Sequence, residues 1–314
     1  GGITLLCKFD GQRVTMASQI AGADETVSSL YSVKSEQATM LSFDTYNYLV
    51  HYFGQPQGSM ADDPNGTLGG DYEFVISDAT ADRIELKGKK YGNRIVMKAF
   101  SADQTWKQYL TRIKKVEDDA FFYEYDLRMD GLYTGQMLRS NYTFIVTYYD
   151  EVGKVHQKTV PFMFTTDGMR FHEPVTIDGQ TMQNFVWKNE EISFVCTDEG
   201  ATEVKLAGVY TAGYQSYDYY PGTYQMDFYR LNDATNQMEV ASQEIQLVKD
   251  EDGKSYWLKG LEYDILVTYD KPRGGLSILP QFLKKVQGGY VYLAMWDLWI
   301  REVRCFYIAS LLFS

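Results

Sequence analysis

The sequence predicts a mainly β protein of the α+β class, built from antiparallel sheets, on the basis of three observations. Apolar and polar residues alternate with period two along most of the chain, as in Ile3–Phe9. Asp-Gly or Asn-Gly pairs, the strongest short signal for a β-hairpin, separate many of these runs. Only one segment shows clear helical spacing. A parallel α/β fold would need helices that alternate with the strands, so the sequence disfavours that fold.

The composition supports a folded protein and excludes some classes of partner. The chain has 314 residues, of which 45% are hydrophobic, and this is enough for two domains with their own cores. Its formal net charge of −12 disfavours nucleic acid and anionic lipid as partners, because both are bound through Lys and Arg. The three cysteines, Cys7, Cys196 and Cys305, lie far apart in apolar runs. We interpret them as small buried side chains, and we expect no disulfide framework.

An internal repeat organises the first two thirds of the chain. The pattern of Phe74–Asp78 and Ile84–Gly88 returns without a gap at Phe194–Asp198 and Val204–Gly208. Self-similarity of this kind indicates a repeated structural unit, so we predict an internally duplicated β-meander. The alternative is that two unrelated amphipathic strands share one turn chemistry.

Three Asp-Gly pairs each predict a hairpin with a two-residue loop and therefore a defined register. The predicted cross-strand pairs are Cys7 with Val14, Leu5 with Met16, Ile177 with Gln180, Val175 with Met182, and Leu247 with Leu258. Further turns are predicted at Asn65-Gly66, Asp130-Gly131 and Asp167-Gly168.

One amphipathic helix is predicted over residues 101–117, between the two copies of the repeat. Ser101 can cap its start, and Gln104 would complete a capping box. An apolar stripe at helical spacing follows, formed by Trp106, Tyr109, Leu110, Ile113 and Val116. We expect the duplicated meander to wrap around this helix, which would cover a face or an open end of a sheet.

A change of pattern after Gly208 predicts a domain boundary, with a duplicated β domain over residues 1–208 and a smaller β-sandwich or barrel over 209–314. Strands are predicted in the second domain, the last of them at Tyr290–Ile300. The final ten residues, Cys305–Ser314, are apolar, and we expect them to form a paired strand because an exposed apolar edge promotes aggregation. Deletion of these ten residues should then abolish soluble expression.

Several blocks of sequence resemble one family when they are taken together. The blocks are Leu41–Asn47, His51–Phe53, Gly69–Phe74, Leu86–Lys90 and Gly92-Asn93. They resemble a family of uncharacterised cell-envelope lipoproteins from gut Gram-negative anaerobes, known as a domain of unknown function. The resemblance covers Gly1 to Lys205 well and the remainder loosely.

The resemblance implies a location but no activity. It implies an exported protein in the periplasm or at the outer-membrane surface, lipid-anchored in its full-length form and encoded near nutrient-uptake systems. The anchoring segment of such proteins is not part of this chain, which opens inside a strand pattern, so we expect a truncated product. Membrane contact is then expected only through that lipid anchor.

Four polar residues, Asp44, His51, Asp71 and Glu73, form a candidate catalytic cluster. A carboxylate that orients a histidine is part of a nucleophilic triad, although no Gly-x-Ser-x-Gly turn accompanies it. The other interpretation is a polar contact that fixes a strand over Phe43–Phe53. The spacing of acidic and histidine residues elsewhere matches no metal motif, so no metal and no cofactor are expected.

Aromatic residues of the second domain are the candidates for ligand binding. Flat rings offer rigid contact area with little entropy to lose, which suits sugar faces and protein partners. The candidate residues are Tyr214, Tyr217, Tyr219, Tyr220 and Trp299. The alternative is that these rings belong to the core and rim of a β domain.

Three hypotheses about function follow from these observations. The first is a non-enzymatic envelope protein that binds a glycan, a peptide or a partner subunit in nutrient uptake. The second is a hydrolase with its site at the four-residue polar cluster, and the third is a purely structural subunit. Convergence of the four polar side chains in one cleft, with a raised carboxylate pKa, would favour the hydrolase.

Overall fold

The computed structural model describes residues 2–35, 38–55, 68–150, 152–232, 234–287 and 289–293. Strands form 55% of these described residues and helices 8%, and the sheets are antiparallel, which confirms the predicted mainly β fold. The chain divides into two compact units, Gly1–Val209 and Tyr210–Ser314.

The first unit begins with a seven-stranded antiparallel meander in which each strand pairs with the next along the chain. Its strands are β1 (Leu5–Phe9), β2 (Arg13–Ser18), β3 (Val27–Ser35), β4 (Thr39–Phe43), β5 (Glu73–Ala79), β6 (Arg83–Gly88) and β7 (Arg94–Lys98). A short helix, α1 (Tyr48–His51), and a 3-10 turn (Tyr52–Gly54) lie between β4 and β5. The predicted strand over Phe43–Phe53 is therefore wrong beyond Phe43, because the Asn47 side chain caps α1 by accepting the Leu49 N–H.

Helix α2 (Trp106–Asp119) follows the meander and carries the predicted apolar stripe. Leu110, Ile113 and Val116 are buried, which confirms the predicted inward face. The predicted start is wrong, because the capping box is formed by Thr105 and Gln108 rather than by Ser101 and Gln104. Both pairs have the same spacing, so the local pattern does not distinguish them.

Eight further strands form a closed antiparallel barrel. They are β8 (Glu124–Met129), β9 (Leu132–Ser140), β10 (Thr143–Tyr149), β11 (Val155–Phe164), β12 (Gly168–Ile177), β13 (Gln180–Lys188), β14 (Ser193–Cys196) and β15 (Lys205–Val209). Neighbouring strands pair in chain order, and β15 closes the barrel against β8, with Lys205 opposite Arg128 and Val209 opposite Glu124. Side chains fill the interior, as is usual for an eight-stranded barrel. They include Tyr125, Leu127, Phe144, Phe162, Phe171, Phe185, Phe194 and Leu206.

Helix α2 lies across one end of this barrel. Arg139, near the β9–β10 turn, contacts Glu117 of the helix at 3.4 Å, and Asn189 in the β13–β14 turn donates to Asp119 at 3.3 Å. The opposite face of the helix is exposed, so the strands do not wrap around it as predicted. The aromatic rings inside the barrel occupy the space that an enclosed helix would need.

The two copies of the repeat are the hairpins β5–β6 and β14–β15. Their Phe and Leu residues are buried in both copies, at Phe74 and Leu86 and at Phe194 and Leu206. The registers differ, because Phe194 lies opposite Leu206 whereas Phe74 lies opposite Gly88. The copies thus share their buried positions, but one belongs to the open meander and the other to the barrel.

Two of the three predicted hairpin registers are confirmed. Val175 lies opposite Met182 and Leu247 lies opposite Leu258. The register at Asp10-Gly11 is wrong, since Cys7 lies opposite Met16 rather than Val14. The Asp10 side chain accepts the Arg13 N–H at 2.7 Å, which stabilises a loop longer than two residues.

The second unit is a five-stranded antiparallel sheet with a separate hairpin packed against it. The sheet contains β16 (Gly222–Asn232), β17 (Gln237–Lys249), β18 (Ser255–Lys259), β19 (Ile265–Asp270) and β20 (Gly275–Ser277), and the hairpin is β21 (Gln281–Val286) with β22 (Gly289–Leu293). Leu293 of the hairpin is buried against the cluster that includes Ile245 and Tyr256 of the sheet. The predicted strand segments after Leu293, including Cys305–Ser314, and the turn at Asn65-Gly66 lie outside the described residues.

Candidate functional site

Asp71 is a structural anchor in the loop before β5. Its carboxylate accepts the backbone N–H groups of Lys90, Tyr91 and Asn93 at 2.8, 3.0 and 3.2 Å, and the Asn93 side-chain amide at 2.8 Å. Burial alone would raise the pKa of Asp71, but these donors outweigh it and hold the pKa below its ordinary value. A carboxylate with this many fixed donors is suited to holding a loop, since it has little capacity left for a substrate.

The other two carboxylates of the predicted cluster have partners of their own. Glu73 forms an ion pair with Lys89 at 3.1 Å, and Asp44 forms one with Lys34 at 3.7 Å. A hydrogen bond from Ser42 lowers the pKa of Asp44. β5 begins at Glu73, so Asp71 lies in the loop before the strand and not within it.

His51 belongs to a short row of rings on the surface of the first unit. Its ring stacks on Tyr72 with the centroids 5.0 Å apart, and Tyr46 lies 5.5 Å away on a tilted plane. The Nδ1 atom contacts the backbone of Asn47, which fixes the orientation of the imidazole. Tyr46 is 60% exposed and Tyr72 is 45% exposed. We call Tyr46, His51 and Tyr72 the ring row.

The four polar residues of the predicted cluster do not converge in one catalytic arrangement. Asp44, Asp71 and Glu73 each contact a different partner, and His51 uses its Nδ1 on backbone atoms rather than on a carboxylate. The pKa values of Asp44 and Asp71 are lowered, whereas a general acid at neutral pH needs a raised carboxylate pKa.

The predicted tyrosine site of the second unit is largely a network of internal hydrogen bonds. The hydroxyl of Tyr217 donates to the Ser255 carbonyl at 2.7 Å, and that of Tyr220 donates to the Gly274 carbonyl at 2.6 Å. Tyr256 is buried and stacks on Tyr217 with the centroids 4.7 Å apart. This placement matches the alternative that these rings hold the core and rim of a β domain.

The remaining aromatic candidates differ in their surroundings. Tyr214 is half-buried, and its hydroxyl lies 3.1 Å from that of Tyr269. Tyr219 is 61% exposed, with its ring edge-on to Tyr220. Trp299 lies outside the described residues. Within the tyrosine cluster, Tyr219 therefore offers the most open ring.

The described part of the chain contains no cluster of metal ligands, and its buried cysteine Cys196 is not activated. No three His, Cys, Asp or Glu side chains come together there in a group that could hold a metal ion. Cys196 is buried, and burial raises the pKa of its thiol to about 11, so it remains protonated at neutral pH. None of the described helices is both long enough and apolar enough to cross a bilayer.

Two positions of the ring row, Tyr46 and Tyr72, were not among the sequence candidates. The available signal for Tyr72 was its position between the two candidate acids Asp71 and Glu73. Regular alternation from Asp71 onward would place Tyr72 on the same face of a strand as Phe74. Tyr72 is exposed and Phe74 is buried, so the alternation begins only at Glu73.

Comparisons with known proteins identify a family and give no function. Searches of curated proteins and of solved structures found no significant match. Residues 197–311 match a family model described as a domain of unknown function, DUF4987. Residues 1–189 match the model described as a domain of unknown function, DUF4302, and because this match spans more than half of the chain, the protein belongs to the DUF4302 family.

Proposed function

We propose that this protein binds a glycan without catalysis and that the ring row is its contact surface. The observation that carries the proposal is the exposure of Tyr46 and Tyr72 on either side of a fixed His51 ring. Rings that already contact one another lose little conformational entropy when a ligand arrives. Their faces can cover the apolar C–H face of a sugar, while their hydroxyl groups remain at its polar rim.

The polar groups beside the ring row support a binding role. Lys34 of β3 forms an exposed ion pair with Asp44, which follows β4 and precedes Tyr46 by two residues in the sequence. Such groups can exchange hydrogen bonds with sugar hydroxyls. The lowered pKa values of Asp44 and Asp71 keep these two carboxyl groups ionised at neutral pH, so neither is suited to protonating a glycosidic oxygen. A sugar would therefore be held and released unchanged.

A cell-envelope location is part of the same proposal. It is supported by the resemblance to envelope lipoproteins, and three blocks of that resemblance, Leu41–Asn47, His51–Phe53 and Gly69–Phe74, each include one ring-row residue. The full-length protein would then be exported and held by a lipid anchor, in reach of glycans outside the cytoplasm. The acidic surface is compatible with this, because glycan binding does not require a basic face.

A glycan array probed with the folded chain tests the proposal, with Tyr46→Ala and Tyr72→Ala as test variants. Tyr219→Ala is the matched control, because Tyr219 is equally exposed in the other unit. We expect at least a tenfold loss of affinity in each test variant, which corresponds to about 1.4 kcal/mol, and no change in the control. Loss of binding in the Tyr219 variant alone would mean that the glycan site lies in the second unit. Absence of any glycan binding would refute the proposal.

A further inference from the structure

The barrel carries a second exposed surface at the end opposite helix α2. Val152 is 87% exposed and Leu132 is 73% exposed, and both lie at hairpin turns of the barrel. Tyr133, Tyr149 and Val155 are also exposed beside these turns. We call these five residues the barrel-tip surface. Contiguous exposed apolar groups of this kind on a folded protein indicate an interaction site.

The hairpin turns that carry this surface are linked to one another. Gln180, after the β12–β13 turn, donates to Asp130 of the β8–β9 turn at 3.3 Å. Tyr149 lies directly opposite Val155 across the β10–β11 pair. A shallow depression is lined by side chains from two of the turns, namely Tyr148, Tyr149, Asp150, Val152 and Asp178. The apolar groups therefore belong to one surface.

Internal contacts hold the β10–β11 turn in place before any partner binds. The Asp150 carboxylate accepts the Val152 and Lys154 N–H groups at 3.1 and 2.9 Å. It also contacts His156 Nε2 at 2.9 Å, and the His156 ring stacks on Tyr148 with the centroids 5.3 Å apart. A turn fixed in this way presents Val152 at low entropic cost.

The charges around this surface indicate the chemistry of its partner. Each of the three turns carries an aspartate, at Asp130, Asp150 and Asp178. Asp126 and Glu124 lie near Tyr133 on the barrel wall. Arg128 forms an ion pair with Asp126 at 2.8 Å, and Lys154 in the β10–β11 turn is a single cation beside the three aspartates. An acidic rim around an apolar centre attracts cations and repels an anionic lipid surface. A second copy of the chain would bring the same aspartates against one another if the two surfaces met face to face.

We propose that the barrel-tip surface docks a protein segment that carries Lys or Arg beside apolar side chains. The apolar side chains of the partner would cover Leu132, Val152 and Tyr149, and its cations would face the three aspartates. This surface is separate from the ring row, so the inference does not depend on glycan binding. A partner of this kind would connect the protein to a larger assembly.

A random library of 12-residue peptides displayed on phage is a suitable probe. Selection uses the full chain at low salt, and each enriched peptide is then synthesised and titrated by fluorescence anisotropy. The test variant is Leu132→Ser with Val152→Ser, and Asp178→Asn tests the rim. The control is Leu138→Ser with Ile145→Ser, an exposed apolar pair on the barrel wall whose members lie opposite each other.

We expect enriched peptides that contain Lys or Arg together with aromatic or aliphatic residues. Their affinity should fall at least tenfold in the Leu132/Val152 variant and about threefold in Asp178→Asn, with no change in the control. Three outcomes would overturn the proposal: failure to enrich any peptide, equal binding by test and control variants, or enrichment of acidic peptides. A wild-type dimer that becomes a monomer in the Leu132/Val152 variant would assign the surface to a second copy instead.

Discussion

The Asp71 anchor gives the sharpest stability prediction. Replacing Asp71 by Ala removes four accepted hydrogen bonds and leaves the N–H groups of Lys90, Tyr91 and Asn93 without their acceptor. The carboxylate also lies against Gly88, where a Cβ atom would come within 1.9 Å of Asp71 Oδ2, so this loop has been shaped around the acid.

The size of the effect follows from the number and type of these bonds. A hydrogen bond to a charged group contributes roughly 1.5–3 kcal/mol. The four bonds share one carboxylate, so their contributions are not additive, and water can reach part of the vacated space. We therefore expect Asp71→Ala to lower the free energy of unfolding by about 3–4 kcal/mol. Asp71→Asn keeps the shape of the side chain but turns an amide group toward the donors of Asn93. We expect it to lower the free energy of unfolding by about 2 kcal/mol.

Amide hydrogen exchange measured by NMR reports this loss locally. The N–H groups of Lys90, Tyr91 and Asn93 should exchange about 100- to 1000-fold faster in Asp71→Ala, since 1.4 kcal/mol corresponds to a factor of ten. Asp82→Ala, an exposed acid in the β5–β6 turn, is the matched control and should leave these three amides unchanged. Protection that stays within threefold of wild type in Asp71→Ala would refute the anchoring role.

The lowered pKa of Asp71 adds a pH dependence with a defined sign. A carboxyl group whose pKa is lower in the folded than in the unfolded protein stabilises fully above the unfolded value of about 3.9. That contribution is lost as the pH falls through the folded value. The difference in free energy of unfolding between wild type and Asp71→Asn, measured in urea, should therefore be constant above about pH 5 and shrink below it. A difference that persists undiminished at pH 2.5 would contradict this account.

Three further predictions concern the barrel and its helix. Phe144→Ala should lower the free energy of unfolding by about 3–5 kcal/mol in chemical denaturation, because the buried Phe144 ring stacks on Phe162 of the adjacent strand β11. The exposed Ile145→Ala should lower it by less than about 1 kcal/mol. Thr105→Ala should lower the stability of the first unit by about 1 kcal/mol through loss of the observed cap, and Ser101→Ala should have no effect. If Ser101→Ala were instead the more destabilising variant, the helix would be capped by Ser101, as predicted from the sequence. Gly168→Ala should sharply reduce the yield of folded protein, because the added Cβ would lie 1.9 Å from a backbone carbonyl oxygen of β13. A normal yield with an unchanged melting temperature would show that the two strands can separate at this position.

Local patterns in the sequence predicted which helices and hairpins form better than they predicted the residues at which these elements begin and end. The apolar stripe of α2 was predictable because helical spacing reports directly which face is buried. Its start was not, because Ser101 with Gln104 and Thr105 with Gln108 satisfy the same capping pattern. Asp178-Gly179 produced the expected register, but the side chain of Asp10 bonds to its own loop and lengthens it.

Features that depend on contacts between distant residues could not be predicted in this way. The closure of the barrel pairs β15 with β8, and no short-range pattern encodes that pairing. The candidate site shows the same limit. His51 and Asp71 were identified as polar residues of interest. The role of His51 depends on its stacking with Tyr72, and that of Asp71 on the loop of Lys90, and each partner is distant in the sequence.

The closing strand of the barrel also constrains how this chain can be divided or inherited. The DUF4302 match ends at residue 189 and the DUF4987 match begins at 197, whereas the first compact unit extends to Val209. A chain cut at the end of the first match would lose β14 and β15, leaving β8 and β13 as two open edges and removing the buried Phe194. The second region therefore supplies the strand that completes the core of the first. Recombination between relatives at the family boundary would combine strands from two parents in one barrel core, whereas an exchange after Val209 would keep the first unit from a single parent.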